Sequence, residues 1–208
     1  NQRGLHAVRV LQGKKDFTAD KLLAAAYDTY LTAFEDMIPE LVQAFDHVSG
    51  SDTAIRKILY EPVEMLRNWD LRFSLTSVPT SLAVYYGNEL RRPGGLAEGP
   101  VNSPSDREKV QLSVLASAVR QLEADFGTWI IPWGEINRFQ RLTGDIVQQF
   151  SDALPSLPVP FVSGRWGSLA AFESRKIPGS KKMYGTSGNS FVAAVEFGEK
   201  IRAKSILA

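Results

Sequence analysis

The chain has 208 residues, 44% apolar and 23% charged, with 24 basic side chains against 23 acidic and a net charge of +1. This is ordinary globular material, enough for one domain or a domain with an appended lobe; no apolar run approaches the roughly 18–20 residues of a membrane span, and no basic block interleaved with aromatics points to nucleic acid. Zero cysteines remove disulfides, thiolate metal sites and a Cys nucleophile, and two histidines without His-x-His or HExxH spacing argue against a protein-built zinc site.

Leu5, Val8, Val10 and Leu11 form a short apolar face after Arg3, closed by Gly13. Thr18 offers an N-cap, with Asp20 placed to suit the helix dipole. From Leu22 through Tyr27, Tyr30, Phe34 and Leu41 to Phe45 the apolar residues keep a 3.6-residue period. That predicts one long helix ending at Gly50, bent or broken at Pro39, where a backbone donor is missing. Ser51 and Asp52 would cap a second helix, carrying Ile55, Leu59, Leu66 and Trp69 and interrupted by Pro62. A third is expected over residues 79–90, and short connections favour antiparallel packing. Residues 94–104, with three Gly and two Pro, read as a loop.

Ser105 and Glu108 have capping-box spacing before a helix carried by Val110, Val114, Leu122 and Phe126 to Gly127. Beyond it the pattern turns aromatic and punctuated, then extended around Pro155, Pro158 and Pro160. Runs 190–197 and 201–207 flank Gly198-Glu199-Lys200 as a β-hairpin. A lone two-stranded ribbon is marginal in water, so the hairpin should join a larger sheet or pack under helices. The expectation is an α+β chain: a helical region, residues 1–126, then an irregular and β-rich region, residues 127–208. It opens on Asn1 without a Met or a signal-type apolar stretch and stops at Ala208 with no turn residue, so we expect an excised piece of a longer protein.

Three groups are candidates for chemistry. Arg3 and His6, three apart, share a helix face; Arg3 either binds a carboxylate or amide oxygen or is a solvated first-turn residue. Trp69-Asp70 and Trp133-Gly134-Glu135, with Asn137, Arg138 and Arg141 behind, have the composition of a pocket wall or of buried packing with an ion pair at its rim. Gly185-Thr186-Ser187-Gly188-Asn189-Ser190 resembles a phosphate loop in composition, but lacks the Lys-Ser/Thr ending and a following helix, and reads as a turn before a strand.

In order, Arg3 with its Leu-rich turn, Pro39-Glu40-Leu41, Asn68-Trp69-Asp70, Pro132-Trp133-Gly134-Glu135 with Asn137-Arg138, the 185–190 run, and Val195-Glu196-Phe197 before Arg202-Ala203 resemble the β subunit of the penicillin acylase family, which includes aculeacin-type and acyl-homoserine-lactone acylases. The resemblance implies a helical insertion followed by β-strands of an αββα N-terminal-nucleophile hydrolase core, incomplete here. It implies a parent enzyme that cleaves an acyl group from an amine through an acyl-serine intermediate, the serine's own α-amine taking the proton. It implies no cofactor and no metal, a small acyl-amide substrate, and as partners the α chain and the rest of the β chain. Export to the periplasm or the exterior, and a role in antibiotic or quorum-signal degradation, are family implications of the same kind. Of the family's site residues, Arg3 matches a substrate-side arginine and Arg9 the next basic position. The nucleophile and oxyanion residues have no counterpart, Asn1 being neither, so this piece alone is expected to be inactive. The competing reading is a non-enzymatic helical module whose Tyr27, Tyr30, Tyr85 and Tyr86 face a protein partner.

Overall fold

A computed structural model describes residues 1–49, 53–95, 103–189 and 191–206. Its helices and strands make an α+β chain of two compact units, Asn1–Ala33 with Arg72–Leu75 and Gly134–Ala208, and Phe34–Leu71 with Thr76–Trp133. The first two helices fall in the same compact unit as the strands.

The helical unit holds α3 (Phe34–Ser49), α4 (Thr53–Arg67), α5 (Val78–Leu90) and α6 (Pro104–Phe126). The 23-residue α6 packs against α3, α4 and α5, and Leu41, Leu59, Val63, Leu82, Leu112, Leu115 and Leu122 lie fully buried between them. Residues Thr80 to Gly87 of α5 are buried on every side, which is why that helix carries no polar face. Ser77 caps α5 through its hydroxyl, and Gly127 ends α6 at φ 79°, a conformation open to glycine. Among the described residues no helix is long and apolar enough to cross a membrane.

The other unit is built from short elements: α1 (Gln2–Leu11), α2 (Ala19–Ala26), β1 (Asn137–Phe139), β2 (Leu157–Pro158), a 3-10 turn (Gly164–Trp166), β3 (Phe172–Lys176), β4 (Met183–Gly188), β5 (Val192–Glu196) and β6 (Arg202–Ile206). A single turn, α7 (Trp133–Ile136), leads into β1. Four strands form a sheet in the order β2-β1-β4-β3, with β1 and β4 parallel and the other pairs antiparallel. The hairpin expected at the end of the chain is present as a separate two-stranded sheet, β5 pairing β6 from Val192↔Ile206 to Glu196↔Arg202. It packs against α2, the helical support that a two-stranded ribbon needs.

Several expectations are corrected by the structure. The long helix does not break at Pro39, which lies inside α3; it stops at Ala26. The Asp28 carboxylate accepts the Tyr30 amide at 2.9 Å, and Tyr30 then bridges Arg72, so a local side-chain bond takes the backbone donor that a helix would need. Pro62 likewise lies inside α4 rather than interrupting it. The capping box at Ser105 is replaced by an N-cap at Ser103, whose hydroxyl accepts the Asp106 amide at 3.1 Å; Pro104 then sits where its missing N–H costs nothing. The run from Gly185 is not a turn but part of β4, where Gly185 lies over the Phe172 ring so closely that a Cβ would come within 2.0 Å of it. The Ser51-Asp52 cap, most of the 94–104 loop, Ser190 and the final two residues lie outside the described residues.

Candidate functional site

Arg3 stands on the first turn of α1, whose N-cap is the Asn1 side chain accepting the Gly4 amide at 2.8 Å. Its Nη2 donates to the Leu169 carbonyl at 2.7 Å and to Asn189 Oδ1 at 3.2 Å. Asn189 is itself oriented, because its own amide nitrogen donates to that carbonyl at 3.3 Å and its backbone N–H to Ala171 at 3.0 Å. The exposed guanidinium thus has one corner fixed; among the described residues, Nε and Nη1 make no hydrogen bond and remain as donors.

Beside Arg3 runs a cavity of about 650 Å³. Its walls are mostly apolar, with Leu11 from α1, Leu22 and Leu23 from α2, and Phe191 and Ala194 on the hairpin side, while Asn1, Arg3 and Asn189 supply the polar end. An apolar groove with a few convergent polar groups is the usual chemistry of a small-molecule site. Arg9, the other basic residue singled out, sits on the last turn of α1 and is not part of this lining.

His6, one turn beyond Arg3, is buried at 2% exposure. Its Nδ1 lies 2.8 Å from the Gly167 carbonyl and its Nε2 3.0 Å from Asp28 Oδ1. Arg72 also reaches both Asp28 oxygens, at 3.2 and 3.3 Å, and stacks its guanidinium 5.5 Å from the Tyr30 ring centre. Burial alone would raise the Asp28 carboxyl, but the Tyr30 amide, Arg72 and His6 outweigh it and hold Asp28 below its ordinary value. His47, by contrast, is exposed and pairs with Glu108 at 2.9 Å.

Of the remaining candidates, Asn137 and Arg138 bind backbone carbonyls, and Trp69 and Trp133 pack. Arg138 donates to the Gly134 carbonyl and to both the hydroxyl and the carbonyl of Ser156; the fully buried Asn137 side chain donates to the Val159 and Phe161 carbonyls. Trp69 packs on Phe34 at 5.4 Å between ring centres, and Trp133 is buried in its unit. Tyr85 and Tyr86 are core residues whose hydroxyls have no partner among the described residues, and burial raises both well above the ordinary phenol value, so the tyrosine face of the interaction-module reading is not formed. Sequence reasoning missed Asn189 as Arg3's partner and Asp28 altogether, although Asp28 is the one acid inside an otherwise apolar periodic run from 22 to 34. Among the described residues no group of three His, Asp or Glu side chains is arranged to hold a metal ion.

A search of the curated proteins finds no match. The family model of penicillin amidase matches residues 1–208, the whole chain. The chain therefore belongs to the penicillin amidase family, amidohydrolases of the N-terminal-nucleophile class that act on acyl-amides.

Proposed function

We propose that the chain is the substrate-side part of an acylase that cleaves an acyl group from an amine through an acyl-serine intermediate, with Arg3 contacting the substrate. The observation that carries this reading is the whole-chain family match combined with a half-committed arginine at the polar end of an apolar groove. Arg3's remaining donors suit a carboxylate or carbonyl oxygen of the substrate, and the aliphatic walls suit an apolar group. The nucleophilic serine and the oxyanion donors would come from the remainder of the precursor, so the 208 residues alone should not turn over substrate. By the same family argument the enzyme works in the periplasm or outside the cell.

The test is a steady-state assay of the full-length processed enzyme on a panel of acyl-amides, penicillins and acyl-homoserine lactones included. Arg3→Ala should raise KM or lower kcat/KM on the order of tenfold to a hundredfold, the loss of one charge-assisted contact. Unchanged constants across the panel would remove Arg3 from the site. Turnover by the isolated 208-residue chain would sink the division of labour.

A further inference from the structure

The Arg3 contact proposed above depends on where α1 stands, and a buried clasp one turn further along fixes it. His6 has an acceptor at each ring nitrogen, the Gly167 carbonyl at 2.8 Å and Asp28 Oδ1 at 3.0 Å. A carbonyl oxygen only accepts, so Nδ1 carries a proton. Asp28 also receives the Tyr30 amide and Arg72, donors that favour its ionised form. A neutral His6 would therefore aim the Nε2 lone pair at an anionic oxygen 3.0 Å away. Flipping the ring offers no escape, because it places carbon atoms against both acceptors.

We propose that His6 is an imidazolium, donating from both nitrogens, and that this buried ion pair with Asp28 is the positioning device that holds Arg3 at the groove. The acceptor end is as firmly set as the donor. Gly167 has φ 111° and lies so close to Thr32 that a Cβ would come within 2.6 Å of its hydroxyl, while that hydroxyl donates to the Gln2 carbonyl at 2.9 Å. Arg3 itself binds the carbonyl two residues beyond Gly167, so α1 is stapled to the 167–169 segment at both of its first two turns. The charged and titratable groups around the clasp are few. Asp28 and Arg72 meet in the turn, Tyr30 sits edge-on to the ring at 6.1 Å, and the 3-10 turn brings the exposed Arg165. On α2, Asp20 pairs with Lys204 and Lys21 with Asp16, while α1 contributes Arg3 and Arg9.

The direct test is the long-range proton–nitrogen NMR spectrum of the nitrogen-labelled protein at pH 7, with His6→Gln identifying the ring by loss of its signals and His47 as internal comparison. Two protonated ring nitrogens are expected for His6; one protonated and one bare nitrogen overturns the proposal. Asp28→Asn should convert His6 to that neutral pattern at the same pH, and a persisting imidazolium would overturn the role given to Asp28. In the full-length enzyme, Asp28→Asn should make kcat/KM fall off at lower pH than in the unsubstituted enzyme, because the donor pattern of His6 loses its anionic acceptor. A uniform fall at every pH would mean general loosening and count against positioning by charge. The spectrum is independent of catalysis, so a silent Arg3→Ala variant with an intact His6 imidazolium would refute the substrate contact and leave the clasp standing.

Discussion

The two units are held together by different forces. In the helical unit, long helices bury complete aliphatic side chains; of the polar groups caught inside, Thr80, Gln111 and Asp125 are hydrogen-bonded, while the hydroxyls of Ser81, Tyr85 and Tyr86 have no partner among the described residues. In the strand-bearing unit, elements of two to ten residues are tied by side chains reaching distant carbonyls and amides: Arg3, His6, Asn137, Arg138, Gln140 and Asp152 each do so. Short elements cannot bury enough area each to hold their place, so directional bonds take over the positioning. The difference teaches where a functional site can be built: the candidate groove lies where geometry is set by hydrogen bonds, which fix orientation more sharply than apolar contact does.

That contrast can be broken from either side. The largest effect is expected in the helical unit, where Leu115→Ala removes a fully buried side chain and should cost about 3 kcal/mol in urea unfolding, transfer and cavity terms together. In the strand-bearing unit the corresponding weak point is polar. Asn137→Leu keeps the volume but leaves the Val159 and Phe161 carbonyls without their donor, and should cost about 2 kcal/mol, with hydrogen-exchange protection lost first along β1 and β2. Were Asn137→Leu neutral, the polar side of the comparison would fail.

A smaller difference separates two serines of one helix. Ser103→Ala should destabilise by about 1 kcal/mol and Ser105→Ala by less than about 0.5 kcal/mol, because only Ser103 accepts an end amide. Equal losses would return the cap to the capping-box position.

The smallest effect is electrostatic. Burial would raise Asp152, but the Lys181 amide, the Ser180 hydroxyl and the Tyr184 hydroxyl outweigh it and hold it low, as their counterparts do for Asp28. For a carboxyl lowered on folding, the stabilisation is complete above its unfolded value, about 3.9, and is lost as pH falls through the folded one. Asp28→Asn and Asp152→Asn should therefore each flatten the fall of stability below about pH 4. Asp46 in the helical unit is also lowered, by its hydrogen bonds to Arg67, but that pair is exposed, so Asp46→Asn should matter less and vanish in high salt. The same Asp152 contact, after burial, pushes the Tyr184 phenol up to about 12, so the hydrogen bond from Tyr184 to Asp152 should survive alkaline titration well past the ordinary tyrosine range.

The sequence was legible wherever the signal is local. The 3.6-residue periodicity found the helices, Gly127 marked the end of α6, and the Val- and Ile-rich runs around Gly198 gave the hairpin. It misled where a local rule met a competing partner. Pro39 looks like a break, yet Asp28 makes the break, because it captures the Tyr30 amide while Thr29 and Tyr30 pair with the chain around Arg72. Gly185 looks like a turn residue, yet it is a glycine because Phe172 lies across it.

By itself, then, the sequence determined the α+β class, the later helices and the closing hairpin, the family and the singling out of Arg3 and His6 as residues of one helix face. Only the tertiary structure decided what those two residues hold. The partners of His6 lie 22 and 161 positions away and those of Arg3 166 and 186 away, and periodicity carries information over a turn or two of chain. Bonds across such distances exist only once the segments have been brought together, and that is why the clasp and the groove beside it were invisible until the fold was in view.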